Sequence, residues 1–174
     1  MLNTNSRQPI LKTAAENGAV ISGVLIVYSM ILYLLDFHTE QWLGSVGILI
    51  MVILLFIFGQ RYARSGGRSE LTYGSAFKFL FLVVLFSAIF SGVFNFIYFE
   101  FISPETIELS IEQTYEGMIE QGMSEEQAQE QMKFVLPWMS SWVFAGSGVF
   151  MTLLFGAIAS LIFAALIKQE SSSI

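Results

Sequence analysis

The stretch "LGSVGILIMVILLFIFGQRYARSGGR", Leu43–Arg68, decides the fold class. Residues 43–60 hold no charged side chain, and Arg61, Arg64 and Arg68 follow directly. A helix needs about 20 apolar residues to cross ~30 Å of hydrocarbon. A basic cluster at the end of such a run marks the side of the membrane that stays cytoplasmic, because short loops rich in Lys and Arg are retained there. The second span therefore runs over about 43–62 and leaves the bilayer on its inner side.

Working outward, three more apolar segments appear. Asn17 to Leu35 is uncharged and follows Arg7, Pro9 and Lys12, which read as a short cytoplasmic tail. A secretory leader is the rival reading, but the run exceeds an h-region of about 7–15 residues and no small-residue cleavage site follows it. The third span opens near Tyr73 and is uncharged from Phe79 to Phe99; the fourth, Val143 to Ile167, ends at Lys168 and a serine-rich tail. Of the eight basic residues, Arg7, Lys12, Arg61, Arg64, Arg68, Lys78 and Lys168 fall on one side of this pattern and Lys133 alone on the other. Trp42, Tyr98, Trp138 and Trp142 fall at the outer ends, where amphipathic rings suit the headgroup boundary. The expected location is the bacterial inner membrane, multi-pass, with both termini cytoplasmic.

Composition agrees. The chain has 174 residues, of which 55% are hydrophobic and 13% charged, and a mean hydropathy of +0.66. A soluble domain carries about 25% charged residues. The length suits one domain, 1–174, with spans of about 14–35, 43–62, 73–101 and 140–167. The absence of cysteine removes disulfides, thiolate metal sites and cysteine nucleophiles, and the single histidine, His38, removes most hydrolytic chemistry. The net charge of −6 conceals a segregation, since eight glutamates lie between Glu105 and Glu130.

That acidic segment, about 104–136, reads as an external helical insertion. Glu108, Glu112, Glu116 and Glu120 recur every four residues and form one row along a helix, beside an apolar row of Ile107, Ile111, Tyr115 and Ile119. Pro104 suits a helix start and Gly122 a helix end. Ser124 with Gln127 predicts a capping box opening a second helix over about Glu125 to Val135. The fold class is thus all-α: a bundle of four transmembrane helices with an extracytoplasmic amphipathic helical hairpin between spans 3 and 4. The carboxylate row reads as a solvated face, or as a docking or cation-attracting surface.

Membrane helices associate through small residues and polar contacts, because lipid gives apolar side chains no preference for one another. The fourth span offers Gly148, Thr152, Gly156, Ser160 and Ala164 at four-residue spacing, the first offers Gly18 and Ser22, and the third offers Ala88 and Gly92. The second has Gly44 and Gly47 early and few small residues after, so it is expected to be the most lipid-exposed.

Polar residues at membrane depth are functional candidates by default. Lys78, Ser91, Asn95 and Glu100 form the candidate intramembrane polar site. Lys78 is close enough to the inner boundary to snorkel. Asn95 needs a hydrogen-bond partner and suggests a bond between helices. Asp36, His38 and Glu40, joined by Glu100, are a weak metal-binding candidate, because a polar turn explains them equally well. Neither paired carboxylates within a span nor a phosphate loop occurs; Gly66–Gly67 is a turn. No cofactor is expected.

These residues resemble a bacterial family of integral membrane proteins, the domain of unknown function 4199. The likeness covers essentially the whole chain. It rests on the small residues of the first span, the Gly59–Arg61–Arg64 exit, "LTYGSAFKFLFLV" over Leu71–Val83, Pro104, and "GMSEEQAQEQM" over Gly122–Met132. The family's pattern has an acidic residue before that proline, where this chain has Ser103. The resemblance implies a four-helix membrane domain with an external helical insertion and no particular activity. The expected function is a non-enzymatic membrane module acting by self-association or hetero-association. Its partners would be the lipid bilayer and a second copy or another membrane protein, with no nucleic acid. A small transporter or channel for an ion or small solute is the alternative, and a lipid-acting enzyme the third reading.

Overall fold

A computed structural model describes residues 7–37, 41–65 and 72–172. Among the described residues there are six α-helices and no strands: α1 Arg7–Leu34, α2 Gln41–Ser65, α3 Tyr73–Ile97, α4 Glu105–Glu120, α5 Glu125–Val135 and α6 Ser141–Ser172. Four segments are long and apolar enough to cross a membrane: Ile10–Leu34, Trp42–Arg64, Tyr73–Ile102 and Ser141–Ile167. The fold is an all-α membrane protein. α1 begins at Arg7, so residues 7–12, expected as a tail, are helical; Pro9 falls in the first turn, where its missing N–H has no intrahelical partner to lose.

The chain divides into two compact units, one of Met1–Ser91 with Val149–Ile174 and the other of Gly92–Gly148. In the first unit, α3 is the axis. Ala76, Phe79, Leu80, Val83, Val84, Ser87 and Ala88 are all buried, a three- and four-residue rhythm that gives α3 one continuous inner face. Each of the other spans meets it at a glycine. A Cβ on Gly18 of α1 would stand 2.7 Å from Phe86 Cβ, 2.8 Å from the Val83 carbonyl oxygen and 2.9 Å from the Ser87 nitrogen. The α1 backbone thus rests on the α3 backbone. A Cβ on Gly156 of α6 would overlap the Val84 isopropyl group, and one on Gly59 of α2 would lie 2.7 Å from Ile167 Cδ1 and 2.9 Å from Leu80 Cδ2.

Gly156, Ser160 and Ala164 are buried, so the lower part of the fourth-span row is spent inside this unit. Ser160 Oγ donates to the Gly156 carbonyl at 2.6 Å, and Ser22 Oγ to that of Ala19 at 3.0 Å. Each serine thereby closes its polar group on its own helix. Between helices, Tyr28 of α1 donates to the Leu43 carbonyl of α2 at 2.8 Å, Tyr62 stacks on Phe79 with ring centres 4.0 Å apart, and Phe56 meets Phe163 at 5.0 Å. Val27, Ile31, Leu49, Ile53 and Phe150 point outward and are exposed, an apolar exterior that lipid covers.

One expectation for this unit needs correction. The second span is not more exposed than the first: Met51, Leu55, Phe58 and Gly59 are buried in it, against Ala14, Gly18, Ile21 and Ser22 in the first. Gly59 is the reason, since it admits α2 to the interior near its basic end, where sequence reasoning counted no small residue. α1 ends at the polar turn expected from Asp36. Asp36 takes a left-handed conformation at φ 61°, its N–H bonding to Tyr33 and that of Phe37 to Leu32. This is a Schellman end with aspartate in the place usually held by glycine.

In the second unit, α3 does not run straight out to the proline. Its end widens into a π-helical turn over Tyr98–Ile102, closed by a bond from the Ser103 N–H to the Tyr98 carbonyl at 2.8 Å. α4 then ends at Gly122, φ 90°, with bonds from Gly122 to Ile119 and from Met123 to Met118. α5 opens on a capping box, Ser124 accepting from the Gln127 N–H at 3.3 Å and Gln127 Oε1 accepting from the Ser124 N–H at 3.1 Å. The expected pair of short helices is present, punctuated where the glycine and the serine predicted.

Glycine substitutions separate the packed surfaces from the open ones. Gly18→Ala and Gly156→Leu should each lower stability by about 1–3 kcal/mol or more, because backbone or stiff Val84 stands where the new atoms would go. Gly23→Ala, with nothing within 4 Å of the new Cβ, should be neutral. Thermal unfolding of the three variants in detergent reads the difference; an equally stable Gly18→Ala would refute the backbone contact between α1 and α3.

Candidate functional site

The carboxylate row sits on α4. Glu108, Glu112, Glu116 and Glu120 are all exposed, while Ile107, Ile111, Tyr115 and Ile119 are all half-buried. One face is therefore offered to solvent and the neighbouring face is engaged, in part by α5, whose Ala128 and Met132 are buried. Like charges one turn apart repel by a few tenths of a kcal/mol. Two back-bonds on another face of α4 accompany that tension: Ser110 Oγ donates to Thr106 and Thr114 Oγ1 to Ser110.

The base of α4 holds a polar cluster that sequence reasoning registered only as a departure from the family's pattern. Ser103 is fully buried. Its hydroxyl donates to Glu105 Oε1 at 2.8 Å and lies 2.7 Å from Thr106 Oγ1. A carboxylate therefore does reach this corner, supplied by Glu105 two residues later. The signal that identifies the cluster is the spacing itself, a serine before proline with acid and hydroxyl in the first helical turn.

The intramembrane candidates do not converge. Lys78 is exposed, as a snorkelling side chain would be. Ser91 lies thirteen residues further along α3, about 20 Å of helical rise. Asn95 faces Gly148, its Nδ2 3.2 Å from where a Cβ on that glycine would stand, and makes no hydrogen bond among the described residues. The expected bond between helices is absent, and close packing against a glycine replaces it. Gly148 thus keeps a packing role, against an amide. Glu100 is exposed on the π-helical turn. Gly92 and Thr152 are half-buried.

Two hydroxyls at membrane depth stand out instead. Ser87 Oγ and Ser91 Oγ are buried and have no hydrogen-bond partner. They are one turn apart and share a face of α3. Nothing in the sequence distinguishes a satisfied hydroxyl at Ser87 from an orphaned one.

Asp36 is exposed at the end of α1. His38 and Glu40, its proposed companions in a metal site, lie outside the described residues. Among the described residues no group of three His, Asp or Glu side chains is placed to hold a metal ion. An exposed ion pair, Lys12–Glu16 at 3.9 Å, lies on α1.

The features the family resemblance rested on now have structural positions: the buried Gly18, the buried Gly59 at the α2 exit, the α3 core and the capped α5. A family model described as "Protein of unknown function (DUF4199)" matches residues 16–169. The chain belongs to this family. The match takes in all four spans and both short helices, and it carries no activity with it. No match was found among curated proteins or among solved structures.

Two substitutions test these polar groups. Ser87→Ala should leave stability unchanged or raise it, since removing a buried hydroxyl without a partner removes a desolvation penalty of about 1–3 kcal/mol. A clear loss of stability would mean that the hydroxyl holds something in the membrane. Glu108, Glu112 and Glu116 changed together to Gln should leave helical content and melting temperature intact by circular dichroism. A collapse of either would show that the carboxylates hold the fold together.

Proposed function

We propose that this chain is a non-enzymatic module of the bacterial inner membrane that acts by association, with itself or with another membrane protein. Its termini lie in the cytoplasm, its four spans form a helix bundle, and the amphipathic α4–α5 hairpin lies on the extracytoplasmic side of the membrane. The orientation is supported by the placement of the basic residues, seven on one side of the spans and Lys133 on the other. The observation that carries the association reading is the α4 row: four exposed carboxylates in line, on a helix whose other face is already engaged. Among the described residues, the glutamates of the α4 row and of α5 are displayed on a surface, which suits recognition.

Passage of a solute along α3 is the second reading. The unpartnered hydroxyls of Ser87 and Ser91 favour it, because buried polar groups without partners are natural stations for a hydrated solute.

The chain has no cysteine, so single-cysteine variants probe it against a clean background. In intact cells an impermeant maleimide should label Glu112→Cys and spare Arg64→Cys; the reverse pattern would invert the orientation. A photo-cross-linking residue at position 112 should give one discrete adduct in the membrane, of the chain with itself or with a second protein. No adduct, together with ion or solute flux in proteoliposomes, would replace association with transport.

A further inference from the structure

α5 is polar almost throughout. Glu125, Glu126, Gln127, Gln129, Glu130, Gln131 and Lys133 are all exposed, and its one buried face is Ala128 and Met132. Phe134 breaks the pattern. It lies two residues past Met132, about 200° around the helix and so away from the buried face, and it is 78% exposed. Along its own row the preceding residues are Glu126 and Glu130, so a single exposed stripe changes from carboxylate to aromatic within one turn. The change persists beyond the helix. Leu136 and Trp138, in the 3-10 turn Leu136–Trp138, are exposed too, Trp138 at 69%, and α6 begins at Ser141.

Three large apolar side chains turned outward would be a liability in water. Their continuity with the first turn of a membrane span names what covers them. We infer that the lipid–water boundary crosses α5 between Glu130 and Phe134, a step of about 6 Å, and that Phe134, Leu136 and Trp138 are buried in the bilayer interface as an anchor for the α4–α5 pair. Trp138, a ring with one polar edge, is the kind of residue that settles at this level, and Phe134 and Leu136 suit the apolar face of an interfacial segment.

Lys133 stands at the crossing. It is exposed and makes no ion pair among the described residues, although Glu130 is one turn away. Its ammonium is at the right depth for a lipid phosphate, and its stem can reach along the apolar rings toward the headgroups. An anionic phospholipid headgroup is thus the ligand of Lys133, and the phosphate contact fixes how deep the anchor sits. A favourable charge at the carbonyl end of α5 is the competing account of this lysine. The inference depends on the chain being embedded in a membrane and not on which side α4 and α5 occupy, so an inverted topology would leave it standing.

The test uses the full chain in phosphatidylglycerol nanodiscs. With Trp42→Phe and Trp142→Phe, the remaining Trp138 should be quenched by acyl-brominated lipid and shielded from iodide. With Trp138→Phe added, Phe134→Trp should behave like Trp138, and Glu130→Trp should respond to iodide instead. Iodide access at position 134, or the same response at 130 and 134, would overturn the boundary. Water-derived hydroxyl radicals give the same answer on the unaltered chain: Phe134 and Trp138 should escape oxidation, and oxidation of both would refute the anchor. For Lys133, Lys133→Gln should raise iodide access to Trp138 in phosphatidylglycerol but not in phosphatidylcholine, and Lys133→Arg should restore shielding. An equal rise in both lipids would assign the ammonium to the helix end alone and overturn the headgroup contact.

Discussion

The first unit depends on the approach of three helices to α3 at points where no side chain intervenes. In water, burying apolar surface would hold such helices together; in lipid that drive is gone, and contact distance decides. Dispersion attraction per atom pair is only about 0.1–0.2 kcal/mol, so it adds up only where many atoms sit at optimal separation. Gly18, Gly59 and Gly156 allow this. Gly18 sets backbone against backbone at the Val83 carbonyl and the Ser87 nitrogen, and Gly156 takes the Val84 side chain into the place of its missing one.

That closeness has a consequence for the polar groups on α3. A serine in a helix ordinarily satisfies its hydroxyl by bonding the carbonyl four residues back, as Ser160 does with Gly156. Ser87 does not make the equivalent bond to Val83, whose carbonyl oxygen is where α1 presses on α3. The backbone contact between α1 and α3 and the orphaned hydroxyl therefore occupy the same turn. The second unit follows different rules. α4 and α5 are too polar to cross a membrane, and they are bounded by hydrogen-bonded ends: a π-helical turn and the Ser103 cluster before α4, Gly122 after it, and a capping box before α5.

What the sequence made legible divides along the same line. Gly122, Ser124 and Gln127 specify local backbone geometry, and local geometry is written in adjacent residues, so both helix ends were predictable. The spacing of Gly156, Ser160 and Ala164 likewise announces a buried row, because four-residue spacing is a property of one helix. Gly59 was not recognised as a packing position because a single glycine beside three arginines reads as a boundary, and only the arrival of Ile167 and Leu80 makes it an interface. Asn95 was expected to bond across helices, but its neighbour proved to be Gly148, a residue with no side chain to bond. The π-helical turn has no compositional mark, since a shift from four- to five-residue bonding leaves the amino acids unchanged. For the candidate site, the glutamate row was legible and the orphaned serines were not, because hydrogen-bond satisfaction depends on which helix lies opposite.

The disposition of polar groups along α3 bears on which role the fold suits. A pathway from the Lys78 end would have to reach Ser87 and Ser91 along the inner face of the helix. Phe79, Leu80, Val83 and Val84 stand between them, each at most 1% exposed, and Gly18 and Gly156 bring α1 and α6 hard against this stretch. Opening it to water would require separating the contacts that hold the first unit together. On the Lys78 side, therefore, the hydroxyls are closed off by packed apolar side chains. A solute path from the Lys78 end would part this core, whereas the association proposed above leaves the protein's core shut. The surfaces it presents are apolar span exteriors, a row of carboxylates and an aromatic edge.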